Sequence, residues 1–119
     1  MIPDFNKQSL LNSFKYLRIK KSDSIFLTTS LGTLGIPKTT NKNYLLTTSN
    51  WVLKSLRNII GKKGNIFVPT YSYTFSKKNK VFNPKKTKSE IGYFSNFFLK
   101  QKKIVRSNDP MMSIAGQGP

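Results

Sequence analysis

Three short clusters hold the side chains with chemistry to offer. They are Thr28-Thr29-Ser30-Leu31, Pro69-Thr70-Tyr71-Ser72, and Arg106-Ser107 with Asp109-Pro110 and Ser113 just beyond. Hydroxyls beside unpaired backbone N–H groups bind a phosphate or an amide. A guanidinium such as that of Arg106 suits an anion. Tyr71 offers a ring face of the kind that lines ligand pockets. Asp109 either attracts an ammonium or caps the turn before Pro110. Each cluster also has an ordinary reading: threonines on the polar face of a strand, a proline turn, an arginine in a surface ion pair. The chain has no histidine and no cysteine. That removes an imidazole base, a thiol nucleophile, a disulfide framework and the common zinc sites. No metal is expected. Glu90 reads as the capping partner of Thr87, not as an acid catalyst. Gly116-Gln117-Gly118 is too short for a phosphate-binding glycine loop, and no P-loop, dinucleotide fingerprint or nucleophile elbow occurs.

Asp4 reads as the N-cap of a first helix, with Leu10, Leu11, Phe14 and Leu17 at helical spacing. Ser24 to Ser30 reads as a buried strand. Gly32, Gly35 and Pro37 make a loop of the following stretch to Asn43. A second helix is predicted from Tyr44 to Ile60. Its apolar stripe is Leu45, Val52, Leu53, Leu56, Ile59 and Ile60, and Gly61 ends it. Ile66-Phe67-Val68 is a second strand, closed by Pro69. Residues 71–89 form a long polar segment of the length that functional or disordered loops have. It is rich in lysine: Lys77, Lys78, Lys80, Lys85, Lys86 and Lys88. Thr87-Lys88-Ser89-Glu90 has the capping-box pattern and opens a third helix carrying Ile91, Phe94, Phe97 and Phe98. Ile104-Val105 and Ser113-Ile114-Ala115 are the remaining strand candidates. Strands alternating with helices predict an α/β fold, a parallel or mixed sheet with flanking helices. In such sheets ligands bind beyond the carboxyl ends of the strands, where the first two clusters fall.

The segment from Ile104 to Gly118 resembles the "RS-x-[H/D]-P-x-x-S-x-A-x-G" block of the aminoglycoside 3-N-acetyltransferase family. Ile25-Phe26-Leu27-Thr28-Thr29-Ser30-Leu31 with Gly35 resembles the family's hydrophobic strand followed by H-S-S-L…G. Gly64-Asn65-Ile66-Phe67-Val68-Pro69-Thr70-Tyr71-Ser72 resembles its G-T-L-V-x-P-T-[FY]-[ST]. The three blocks stand in the family's order, and the likeness runs from roughly Leu10 to Gly118. It implies residues 1–119 as the N-terminal part of a single acetyltransferase domain, with acetyl-CoA as acetyl donor. It further implies that Thr28, Thr29, Ser30, Leu31, Arg106, Ser107 and Ser113 hold the cofactor. Tyr71, Ser72 and Asp109 would face the acceptor, a small-molecule amine such as an aminoglycoside or an amino sugar. Thr28 stands where the family usually has His. Asp109 stands where many members have His and where members associated with surface-polysaccharide gene clusters have Asp. Tyr71-Ser72-Tyr73-Thr74-Phe75 is also closer to those members. The family's base, a His paired with an acid, belongs to its C-terminal half, so no catalytic residue is expected in this chain.

Composition bounds the alternatives. At 119 residues the chain is one small domain or part of a larger one. Its 37% hydrophobic and 13% aromatic content is that of a folding chain. No apolar run is long enough to cross a membrane, and no signal-peptide pattern opens the chain, so a cytoplasmic protein is expected. The formal charge is +17, from 21 Lys and Arg against four Asp and Glu. A polyanionic partner, nucleic acid or a phosphate-rich cofactor, is one explanation. The joint over-use of Lys, Asn, Ile and Phe that an AT-rich genome produces is another, and is preferred because arginine supplies only three of the cations. Two alternatives to an acetyltransferase follow: a basic nucleic-acid-binding module, and an inactive truncated product with an exposed apolar surface.

Overall fold

The computed structural model describes residues 2–74, 78 and 81–119. Phe75, Lys77 and Lys80, named above, lie outside the described residues. The elements run α1 (Lys7–Tyr16), β1 (Ser24–Phe26), a 3-10 turn (Leu31–Leu34), α2 (Tyr44–Ile60), β2 (Asn65–Pro69), α3 (Tyr93–Leu99), β3 (Val105–Arg106) and β4 (Ile114–Gln117). The strands form one mixed sheet in the order β1-β2-β4-β3. β1 is parallel to β2, and β4 is antiparallel to both β2 and β3.

Alternation along the strands sets the layers. Ile66, Val68 and Ala115 are buried together with Val52, Leu53, Leu56 and Ile60 of α2 and Phe94, Phe97 and Phe98 of α3. The opposite face carries a row across the sheet: Phe26 beside Phe67, Phe67 beside Gly116, Gly116 beside Val105. Phe26, Phe67 and Val105 remain 55%, 39% and 75% exposed, so no helix among the described residues covers that face. The molecule is a slab, 21 Å across its thinnest dimension.

α2 keeps its predicted limits. Asn43 caps it by accepting from the Leu46 N–H at 3.0 Å, and Gly61 ends it at φ 70°, where a Cβ would be costly. Only Leu45 of its stripe faces out. Arg57 pins the helix end to the sheet, donating to the carbonyls of Gly64 (2.8 Å) and Gln117 (3.3 Å) and to Gln117 Oε1 (2.8 Å). Gly64 has no room for a side chain, since a Cβ there would sit 2.6 Å from Ile60.

Four expectations change. The N-cap of α1 is Asn6, which exchanges bonds with Ser9 in a capping box, while Asp4 Oδ2 accepts from the Ile36 N–H at 2.7 Å. Leu17 falls beyond α1 and is 67% exposed. The first strand is a three-residue edge strand, not a buried one reaching Ser30. Thr87 to Glu90 form no capping box. α3 begins at Tyr93 behind Gly92, with no side-chain cap and with Ile91 outside it. Thr87 Oγ1 instead accepts from the Asn83 N–H, and the Glu90 carboxylate accepts from the Tyr73 N–H.

Candidate functional site

The sheet topology brings the three clusters to one edge. β1 and β2 run parallel, so residues 28–31 and 70–72 leave the sheet at the same end. β4 runs the other way and begins there, just after Ser113, while β3 ends there at Arg106. Sequence separation of up to 85 residues is thereby closed by strand register alone.

Residues 28–31 form the open part of the edge. The Leu27 N–H bonds the Phe67 carbonyl at 2.8 Å, and the backbone then turns away from β2. The N–H groups of residues 28–31 make no hydrogen bond with any described residue. Thr28 and Ser30 are exposed and Thr29 half-buried. Leu31 presents only its backbone, since its side chain is 7% exposed in the core. Free donors and hydroxyls in one short turn suit an amide or a phosphate oxygen.

The other two clusters interlock. Thr70 N–H donates to the Ser113 carbonyl at 2.9 Å, and Ser113 Oγ donates back to the Thr70 carbonyl at 2.8 Å. Arg106 ties this pair to the segment before α3. Its Nε donates to Ser113 Oγ at 3.1 Å, Nη2 to the Thr70 carbonyl at 2.8 Å, and Nη1 to the Thr87 carbonyl. Its guanidinium carbon lies 4.9 Å from the centre of the Phe82 ring, a cation–π distance. Desolvation by this setting lowers the arginine's pKa, yet the group stays charged.

Two of the expected site residues are therefore not at the surface. Ser113 and Ser72 are fully buried. Ser113 is spent on Thr70 and Arg106, and Ser72 Oγ donates to the Pro110 carbonyl at 2.9 Å while touching Thr74 Oγ1 at 3.1 Å. Both hydroxyls hold the edge in shape. Ser107 is exposed, its Oγ accepting from the Ile114 N–H at 2.9 Å, which leaves its own proton to offer. Tyr71 is half-buried, and its carbonyl accepts from the Glu90 N–H at 2.9 Å.

Asp109 caps its turn. Its Oδ1 accepts from the N–H groups of Met111 and Met112, both at 2.8 Å. The Met112 bond, then the Met111 bond, hold its pKa below the ordinary value. It stays an anion on an exposed turn. Sequence reading grouped Thr70 with its cluster but did not count it among the site residues; its side chain is buried between β2 and β4. It missed Asn96, which grips the Ser89 backbone with two 2.9 Å bonds. Asn96 carries no pattern signal, because its partner lies in an irregular segment ahead of the helix.

A family model described as aminoglycoside 3-N-acetyltransferase matches residues 30–119. No curated protein matches the chain in sequence. Among solved structures it resembles YokD from Bacillus subtilis, with TM-score 0.78, 20% identity, 95% of this chain covered and 50% of that one. It also resembles aminoglycoside acetyltransferase AAC(3)-IVa in complex with apramycin (TM-score 0.80, 18% identity, 100% and 45% covered). A third is AAC-IIIb in its binary complex with CoASH (TM-score 0.77, 15% identity, 97% and 46% covered). The chain thus spans half or less of the length of these relatives.

Proposed function

The chain belongs to the aminoglycoside 3-N-acetyltransferase family, and from that premise we propose that it forms the acetyl-CoA-binding edge of an N-acetyltransferase. The observation that carries the reading is the gathering of residues 28–31, Tyr71 and Ser107 at one sheet edge, with unpaired N–H groups at the first. Those free donors and the exposed hydroxyls of Thr28 and Ser30 fit the amides and phosphates of a coenzyme A arm. Acetyl-CoA would supply the acetyl group as a thioester. Residues 28–31 would hold the arm against the sheet, and Ser107 would donate its free hydroxyl proton to an arm oxygen. Tyr71 would offer its ring to the acceptor, and Asp109 its charge to an acceptor ammonium. The acceptor is an amine on a sugar, in an aminoglycoside or another amino sugar.

An attacking amine must lose a proton, and the group that accepts it must lie within hydrogen-bond reach. This sequence has no histidine. Its four carboxylates each accept from a backbone N–H: Asp4 from Ile36, Asp23 from Lys20, Glu90 from Tyr73, Asp109 from Met111 and Met112. We place the base, as the family resemblance implies, in the half of the relatives' fold that this chain does not span. No helix among the described residues is long and apolar enough to cross a membrane. The reading places the protein in the cytoplasm, where acetyl-CoA is made and used.

Amide resonances followed during an acetyl-CoA titration of the whole chain test this reading. Residues 28–31 and Ser107 are expected to shift together, and a Thr28→Val, Ser30→Ala variant to bind more weakly. A folded chain whose residues 28–31 do not respond ends the reading. Acetylated product formed by the purified chain alone would overturn the assignment of the base.

A further inference from the structure

Beside the site lies a cleft of about 690 Å³, the size of a small-molecule pocket. One wall is the segment from Pro84 to Lys88, the other the end of α3 and the run into β3. Around it stand Lys85, Lys86, Lys88, Lys100, Lys103 and Arg106, and no carboxylate lines it. We propose that this cleft binds the diphosphate group of a nucleotide.

Three observations carry the proposal. The first is where the charge sits. Fourteen residues line the cleft and six are cations, against 21 cations in 119 residues. Codon bias spreads lysine along a chain and does not gather it around one concavity. The second is the want of counter-charge. Every carboxylate of the chain is engaged by a backbone N–H elsewhere, so no acid lines the cleft to offset the six cations. Like charges so gathered repel one another, and an anion of charge −2 or more relieves this.

The third is that the wall is built. Asn83 organises it: its carbonyl accepts from the N–H groups of Lys86 (3.0 Å) and Thr87 (2.8 Å), and its Oδ1 from Lys85 (2.9 Å). Asn96 fixes the far end through Ser89, and Arg106 holds Thr87 to the sheet. Lys85, Lys86 and Lys88 thus project from a segment already ordered, which lowers the entropy lost on binding. Leu99, Ile104 and Val105 give the same cleft an apolar strip on which a nucleobase can rest. Arg106 also contacts Thr70 and Ser113, so the cleft adjoins the sheet edge described above.

Two molecules bring a diphosphate to such an edge: coenzyme A through its nucleotide tail, and an amino sugar carried on a nucleotide. A free aminoglycoside, a polycation, is disfavoured in this cleft and would have to meet the site at Asp109 instead.

The test uses sodium pyrophosphate, which contains neither cofactor arm nor acceptor and so stands apart from the acetyl-transfer reading. Calorimetric titration of the whole chain is expected to show one saturable site. A Lys86→Gln, Lys88→Gln variant and a Lys100→Gln, Lys103→Gln variant should each weaken it by about tenfold or more, the worth of one lost charge-assisted contact. A Lys15→Gln, Lys20→Gln variant, which removes the same charge outside the cleft, should leave affinity within about twofold. Thermal melts establish that all three variants fold. Pyrophosphate that fails to bind the folded chain overturns the proposal, and so does an equal loss in the control variant. Displacement of pyrophosphate by coenzyme A but not by pantetheine assigns the cleft to the cofactor tail. Displacement by a uridine diphosphate amino sugar, with coenzyme A still bound, assigns it to the acceptor.

Discussion

Arg106 separates two views of the site, and Arg106→Lys decides between them. If the residue serves by charge alone, lysine suffices. The structure says that it serves by shape. Three nitrogens of one planar group reach Ser113 Oγ, the Thr70 carbonyl and the Thr87 carbonyl at once, over the face of Phe82. An ammonium reaches one of these and stacks less well. Two bonds from a charged donor are lost, each worth about 1.5–3 kcal/mol when fully sheltered. Arg106 is only partly buried, and the Thr70 carbonyl keeps its bond from Ser113 Oγ. The discounted loss is about 2–3 kcal/mol, with solvent screening taking the remainder. For a domain near 100 residues this lowers the melting midpoint by roughly 10–15 °C.

The assay is thermal and urea unfolding of the wild-type chain, Arg106→Lys, Ser113→Ala and the double variant, without ligand. The shared network predicts strong non-additivity, since Ser113→Ala already removes the acceptor for Nε and the donor to Thr70. Hydrogen exchange should quicken first at Thr87 and Glu90, on the wall that Arg106 holds. An Arg106→Lys variant as stable as wild type, within about 0.5 kcal/mol, refutes the argument. So does a double variant whose loss is the plain sum of the singles.

Asp109 should make its turn acid-sensitive. Its pKa is depressed in the folded chain, so its contribution is present above the unfolded value of about 3.9 and fades as pH falls through the folded value. The Met111 and Met112 amide resonances should move together below about pH 4, and Asp109→Ala should abolish that step. A titration unchanged by the substitution would show another group at work. Ser49 Oγ and Ser55 Oγ are buried in α2 with no hydrogen-bond partner among the described residues. Ser55→Ala should stabilise the chain by about 1 kcal/mol in urea unfolding, because an unmade bond is removed and a better helix former gained. A loss of similar size would mean that the hydroxyl has a partner.

The legible parts of the fold were those decided locally. α2 shows in the sequence because Asn43, the stripe from Val52 to Ile60 and Gly61 all act within a few residues of their targets. The site clusters show because strand ends are marked by Pro69 and by the hydroxyl runs themselves. What stayed hidden depends on register between distant strands. Ser113 meets Thr70 across 43 positions, and Ser72 meets Pro110 across 38, so sequence order cannot reveal that both hydroxyls are spent inside. The capping box at Thr87 failed for the same reason. Glu90 is drawn to the Tyr73 N–H and the Ser89 backbone to Asn96, and α3 starts three residues beyond Glu90, at Tyr93.

The charge follows the same rule, because its meaning depends on position. Counting residues favours a genomic explanation for +17, because a count carries no positions. The fold supplies them. Four acids are drawn to backbone N–H groups at Ile36, Lys20, Tyr73 and Met111-Met112, each at a turn or loop that needs an acceptor. Six cations are left around one cleft with no acid in its lining. An AT-rich genome explains why lysine was at hand. It does not explain why the ordered wall at Asn83 and the end of α3 face each other with lysines across an acid-free gap. That arrangement costs repulsion in the free protein and returns it when an anion binds. The free N–H groups of residues 28–31 and the lysine cleft then divide the work by range. Short-range donors at the sheet edge fix where a ligand's amide or phosphate oxygen sits, and long-range charge beside it selects ligands that carry a diphosphate.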